Sequence, residues 1–461
     1  MTQIKRKQEK MDILQGSIWN KLPRFALPIA ATGILEQLFN ASDIAIVGNF
    51  ATTDKTVAVA AVGANSPIIG TILNLFIGIS LGTNVVIAHA IGRKDKNTVE
   101  KAVHTSVLVA LLGGLLVTLL GELWIQQILR LVNIPEDVFP YAFLYIRIYL
   151  LGMPVIFLYN FEAAIFRSTG DTKTPLGTLA FSGILNVLLN LFFVIVLKMT
   201  VNGVAIATVL SNAVSAVLLF IRLLRTDKVI QLAWKKLRID WKTLGQIIRI
   251  GLPAGIQSMV FNLANIVIQA AINSLGTVVI AASSAAYNIE IFVYYIFNSF
   301  SQACTTFVGQ NYGAGQIKRC RRTLALCLIE DGIISILAII VILCSGRFLL
   351  SLFNSDPQVI ETGYIRLMMV FTAYLFSMIY EVMSGYLRGF GISLVPAILT
   401  ILGVCGVRLT WVAVVFPMDR TFRTLMMAYP ASLSLTAVLI LIALLVYHPS
   451  RRLAGSQQKD K

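Results

Sequence analysis

The chain alternates between long apolar runs and short polar gaps along nearly its whole length. A helix that crosses a bilayer needs roughly 20 mostly apolar residues, and its own hydrogen bonds must satisfy its backbone there. Twelve stretches reach that length, near residues 22–48, 57–90, 98–121, 138–167, 174–197 and 202–223, then near 243–274, 279–311, 322–344, 358–387, 392–416 and 424–447. The predicted fold class is all-α integral membrane, with twelve transmembrane helices in two pseudo-symmetric six-helix lobes. Pro28 and Pro253 fall inside spans 1 and 7. Proline removes a backbone hydrogen bond and permits bending, so both are expected as conformational hinges.

The two halves match each other under a shift. Arg167, Gly170 and Pro175 correspond to Arg388, Gly391 and Pro396 at a displacement of 221 residues, which also carries Gly92 onto Gly313 and Tyr159 onto Tyr380. Tyr-Ile-Arg occurs at 145–147 and 364–366, and Ala26-Leu27-Pro28 answers Gly251-Leu252-Pro253. Six spans per half is an even number, so both halves enter the membrane from the same side. Such a parallel repeat has its pseudo-axis along the membrane normal and encloses a cavity suited to alternating access.

Composition agrees: 57% of the 461 residues are hydrophobic and 13% charged, against roughly 25% charged in a soluble protein. The net charge of +16 does not point to nucleic acid, because the basic residues cluster in the gaps between apolar runs. With the N-terminus placed in the cytoplasm, 29 Lys and Arg fall on the cytoplasmic side and 6 on the other, as the positive-inside rule requires. Both termini are then cytoplasmic, in a multi-pass cell (plasma) membrane protein of the bacterial inner-membrane kind. The expected organisation is a cytoplasmic segment 1–21, an N-terminal lobe 22–223, a basic linker 224–242, a C-terminal lobe 243–447 and a cytoplasmic tail 448–461. The linker carries Trp234 and Trp241 and reads either as an interfacial segment or as a solvated loop with an aromatic anchor. The first apolar run is too long for a signal-peptide core. Cys304, Cys320, Cys327, Cys344 and Cys405 form no CxxC pair, so neither a zinc site nor a disulfide framework is indicated.

Ionisable groups inside spans cost about 2.5–3.5 kcal/mol on insertion, so each is a functional candidate. Glu36, Asn40 and Asp43 recur at i, i+4 and i+7 in span 1 and share a helix face. All three are ion-coupling candidates, with Asp43 the first choice. Burial disfavours a charged carboxylate, which lets such a group take up and release a proton; the other reading is a carboxylate that ligates a sodium ion with neutral oxygens. Glu290 and Glu381 sit among aromatic residues in spans 8 and 10. They suit a cationic amphipathic substrate, or are structural acids neutralised by an arginine such as Arg366. Gln257, Asn262, Asn265 and Gln269 give span 7 a polar face, with Asn265 and Gln269 as substrate-binding candidates or helix–helix glue. Arg147 and Arg366 read as snorkelling or structural partners. No role is assigned to His89, His104 or His448. The acids are not duplicated: Glu36 and Asp43 answer Phe261 and Ile268, while Glu290 and Glu381 answer Ile69 and Asn160.

Several segments resemble the multidrug and toxic compound extrusion (MATE) transporters over nearly the full length. They are ALPIAATGILEQLFNASDIAIVGNF in span 1, GISLGTNVVIAHAIGRKD closing span 2, FRSTGDTKTP after span 4, NGVAIATVLSNA in span 6, and FVGQNYGAGQIKR and YLRGFGISLVP in the second half. The resemblance implies a two-lobe, twelve-helix exporter driven by a proton or sodium gradient. It also implies that Asn186, Asn190 and Thr208 join Asp43 in the ion-coupling site. Many members carry a second Asp where this chain has Asn190, which removes one negative charge. Another branch carries acids where this chain has Phe261 and Ser377, so that branch's ion site does not transfer.

The expected function is a secondary active transporter that exports small cationic or amphipathic compounds by alternating access. The partners are a small-molecule substrate and the lipid bilayer, with no nucleic acid, and the chain is expected as a monomer without a cofactor. The rival is a lipid-linked oligosaccharide flippase of the same superfamily, which would line its cavity with basic residues. An enzyme is not expected, because no span carries a nucleophile–base pair, an HExxH cluster or a GxxxxGK[ST] loop.

Overall fold

The computed structural model describes residues 11–51, 54–132, 134–447 and 449. Residues 1–10 and 450–461 lie outside it, with His448, and so do most of the terminal basic residues behind the expected side of both ends.

Among the described residues, twelve helical spans follow one another. They are α1 (Leu22–Phe50), α2 (Lys55–Gly92), α3 (Lys96–Leu131), α4 (Phe139–Leu151 continued by Met153–Ser168), α5 (Lys173–Val196) and α6 (Val201–Arg225). The second half gives α7 (Trp241–Asn273), α8 (Thr277–Gly313), α9 (Ile317–Ser351), α10 (Pro357–Gly389), α11 (Leu394–Val415) and α12 (Phe422–Tyr447). Ten are long and apolar enough to cross a membrane on length and composition alone. Span α4 is the eleventh, bent by 50° at Gly152, where Pro154 lacks the amide that would close the next turn. The twelfth, α1, is held below that apolarity by its polar face, yet it runs 29 residues. Aspartates cap four starts: Asp54, Asp95, Asp240 and Asp356 accept amide N–H groups from the first turns of α2, α3, α7 and α10. Gly170 and Gly391 turn the chain after α4 and α10 with φ of 90° and 83°, a conformation that strains any residue with a Cβ. They are also partners in the repeat.

The halves meet chiefly where α2 lies against α7 and α8. A Cβ on Gly78 would stand 2.2 Å from Gly255, and one on Gly82 would stand 2.2 Å from the Ile247 carbonyl, so the backbones touch. Both contacts lie in the half of the spans toward the basic face that carries Arg93, Lys94, Lys96 and the linker. Helix α1 belongs to both halves. Phe39 packs on Gly183 of α5, while Phe25 stacks edge-on against Phe307 of α8 at 5.5 Å.

Two segments expected as polar are folded in. Ile13 and Ile18 of the N-terminal segment are buried with Leu22 and Phe25. Arg319 of α9 donates to the carbonyls of Ile13 (3.0 Å) and Gly16 (3.1 Å). The linker buries Ile230 and Leu232 and leaves Trp234 and Trp241 exposed. Lys228 pairs with Asp171 at 2.8 Å and Lys236 with Glu100 at 3.0 Å. His104 donates from Nδ1 to the Glu100 carbonyl at 2.6 Å and accepts the Ala233 N–H at Nε2 at 3.0 Å. His104, given no role from sequence, thus pins the linker to α3.

Candidate functional site

A closed polar ring sits among α1, α5 and α6. Asp43 Oδ1 accepts from Asn190 Nδ2 at 2.5 Å and Oδ2 accepts from the Thr208 hydroxyl at 2.9 Å. Asn190 Nδ2 also donates to Asn186 Oδ1 at 3.1 Å, and Asn186 Nδ2 donates to Thr208 Oγ1 at 3.4 Å. All four residues are buried. Asn186 and Asn190 are one helical turn apart, so one face of α5 supplies both amides. Asn190 Oδ1 is buried without a hydrogen-bond partner. The oxygens gathered here come from one carboxylate, two amides and a hydroxyl, a set that suits a proton or a hard monovalent cation.

The other two residues of the face predicted on α1 lie elsewhere. Asn40 is exposed and Glu36 half-buried. Glu36 is within electrostatic reach of Arg167 and of the tyrosines 159 and 295, toward the middle of the molecule. A shared helix face therefore did not mean a shared site. Pro28 lies within an unbroken α1, where the Thr32 hydroxyl donates to its carbonyl at 2.9 Å, and Pro253 lies within an unbroken α7.

The corresponding place in the second half, among α7, α11 and α12, holds the opposite charge. Arg408 is 2% exposed. It donates to Asn265 Oδ1 at 2.8 Å and to the Ser432 hydroxyl at 3.3 Å, with its guanidinium 4.3 Å from the Tyr429 ring centre. Asn265, expected at the substrate, is committed to this arginine. Gln269 is exposed and donates to Asn273 at 2.9 Å. Glu290 forms a two-pronged pair with Arg366 at 2.7 and 3.0 Å, and Arg366 also donates to Ser283. Both partners are buried. The Glu290 charge is thus spent on Arg366, the structural alternative, and is not free for a cationic substrate. Glu381 lies 3.9 Å from Arg388.

Between the halves lies a cavity of about 110 Å³. Its lining includes Arg167, Arg388, Asn84, Asn298, Gln302 and Thr306, and none of the expected substrate residues. On its basic-face side the halves are stitched together. Thr306 donates to Asn84 at 3.0 Å, Gln310 to the Ser168 carbonyl at 2.6 Å, and Arg167 to Gln302 at 3.2 Å. His89 Nε2 donates to the Gly389 carbonyl at 2.7 Å.

Sequence reasoning passed over His89, Gln310, Arg408 and three buried acids, Glu162, Glu330 and Asp331. Arg167 and Arg388, expected as repeat markers and among the cytoplasmic basic residues, instead both line the cavity between the halves. Their recurrence at one displacement beside a turn glycine was the signal that could have drawn attention to them.

A family model described as MatE matches residues 28–192 and 253–414. A probable multidrug resistance protein of Bacillus subtilis, YoeA, is 27% identical over 92% of this chain and 93% of its own length. A FAD transporter of Shewanella oneidensis is 25% identical over 77% of this chain and 78% of its own. Among solved structures, the outward-facing conformation of a multidrug resistance MATE family transporter superposes with a TM-score of 0.87 at 20% identity, covering 98% of this chain and 99% of that one. That likeness carries the twelve-span fold. The relatives are transporters, and with most of the chain matched by the family model, the protein belongs to the MATE family of multidrug efflux transporters.

Proposed function

We propose that the protein is a secondary active exporter of small amphipathic compounds that exchanges them for protons, with Asp43 as the coupling group and Asn186, Asn190 and Thr208 as its shell. One observation carries this reading: α1 holds Asp43 in the polar ring of the first half, while its other end packs on α8 of the second half. A change of charge at Asp43 breaks or remakes the two hydrogen bonds that tie it to α5 and α6. Release of α1 there alters its path across the interface, and Pro28, between the two contacts, is where it bends. Pro253 lies beside Gly251 and Gly255, which carry the α2–α7 contact, and is the matching hinge.

The basic face is the cytoplasmic one in this reading, by the positive-inside rule, and both termini lie there. The stitching on that side supports an arrangement closed to the cytoplasm, with the cleft facing outward. The chain works as a monomer in the cell membrane. A sodium ion is the alternative driver, favoured by the unpartnered oxygen of Asn190. The names of the relatives favour small-molecule cargo over lipid-linked oligosaccharides.

Purified protein in proteoliposomes tests the reading. Transport of an amphipathic dye should follow an imposed proton gradient and be insensitive to a sodium gradient. Dependence on sodium alone would replace the proton, and indifference to both gradients would sink the proposal.

A further inference from the structure

We propose that the interlobe cavity is a subsite for an anionic group, a phosphate or carboxylate, borne by an amphipathic substrate. The inference rests on the transport reading and names the cargo chemistry of the same cleft. Arg167 and Arg388 both line the cavity, and they are repeat partners, so each half contributes one guanidinium from the same place. No carboxylate belongs to the lining. Glu381 stands beside Arg388 at 3.9 Å, and Glu36 lies within electrostatic reach of Arg167, both set back from the cavity wall. These acids temper the two cations without closing the hydrogen bonds of either.

The arginines have donors to spare. Arg388 is 8% exposed; Nη2 donates to Gln257 at 3.0 Å, while Nη1, 3.9 Å from Glu381, makes no hydrogen bond among the described residues. A buried donor left unmade costs free energy that an incoming oxyanion would recover. A guanidinium presents its N–H groups in a fork that fits two oxygens of a phosphate or carboxylate. Arg167 is fixed by Gln302 at 3.2 Å. Amide groups of Asn84 and Asn298 and the Thr306 hydroxyl complete a polar floor, while Ile77 and Leu81 supply an apolar wall. A cavity of about 110 Å³ has room for a head group of several heavy atoms. This reverses the acidic, cation-attracting cavity expected from sequence: the acids in question are paired or set back, and the cations face the space.

The test is equilibrium binding, which needs no gradient and so stands or falls separately from ion coupling. The probes are 1-naphthyl phosphate and its uncharged parent 1-naphthol, titrated against the full chain in phosphatidylcholine nanodiscs. The phosphate should bind about a hundredfold tighter than the phenol, about tenfold for each guanidinium. Arg167→Gln and Arg388→Gln should each erase about tenfold of that preference, the value of one charge-assisted bond. Naphthol binding should not move, and Arg388→Lys should keep part of the preference. Should Arg388→Gln fail to fold, Gln302→Ala, which frees the Arg167 head, should weaken the phosphate severalfold. Equal binding of phosphate and phenol would overturn the proposal, as would an unchanged preference in the arginine variants. In nanodiscs containing phosphatidylglycerol the preference should persist; displacement of the probe would overturn a soluble substrate and assign the subsite to a lipid head group.

Discussion

His89 donates to the carbonyl of Gly389, and the displacement of 221 residues carries that bond onto a second one, from Gln310 to the carbonyl of Ser168. Each half thus reaches across to seize the end of the other half's Arg-containing motif. Gly92 and Gly313 sit on the same pseudo-axis: a Cβ on either would meet the carbonyl of Gln310 or His89 at 2.1 or 2.2 Å. This reciprocal clasp holds the halves together on the basic face.

The clasp is expected to set how readily that face opens. Each of His89→Ala and Gln310→Ala leaves a buried carbonyl unmatched in the closed arrangement, at about 1–3 kcal/mol. A single cysteine, Ser80→Cys, in a chain cleared of its native cysteines reports on this, because Ser80 lines the cavity. Modification by an impermeant thiol reagent from the basic side should speed up about fivefold or more in either variant.

The glycines of the clasp admit no side chain. Gly92→Val or Gly313→Val should abolish most transport while protein still reaches the membrane, because the helices can no longer meet. Gly177→Ala is the control, since a Cβ there meets nothing within 4 Å; it should transport like the parent.

The Glu290–Arg366 pair is expected to serve the fold. Removing one partner leaves an uncompensated buried charge and costs about 3–5 kcal/mol. Glu290→Gln or Arg366→Met alone should lower the thermal unfolding midpoint in detergent sharply, and the double variant should recover much of the loss. A direct substrate role would instead show as changed affinity at unchanged stability.

The linker sets a boundary on any pH dependence. Hydrogen bonds from Thr243, with Lys101 nearby, hold the Asp240 carboxyl down at about 2. A depressed carboxyl contributes stability that is present above its unfolded value, about 3.9, and lost only as pH falls through the folded one. Between about pH 5 and 9 its charge is constant. Asp240→Asn should therefore leave the shape of the transport–pH curve unchanged in that range.

Ten of the twelve spans were legible because length and apolarity alone decide them, and the repeat markers located the turns at Gly170 and Gly391. Asp43, Asn186, Asn190 and Thr208 were legible as a group, the last three through family resemblance. Which polar residues pair was not. Glu290 meets Arg366 and Asn265 meets Arg408 across separations of 76 and 143 residues, and a span that is apolar all round gives periodicity little contrast by which to read its buried face. Arg408 illustrates the cost: a full positive charge sits where the other half keeps Asp43, and neither position marks the other in the sequence.

Coupling of the gradient to the interlobe cavity through Asp43 is tested by Asp43→Asn in proteoliposomes under an imposed proton gradient. Asparagine keeps the size of the side chain and one of the two acceptors in the ring but cannot take up a proton. Gradient-driven transport should fall to the level of empty vesicles while substrate binding at equilibrium is retained. Full gradient-driven transport by Asp43→Asn would contradict it.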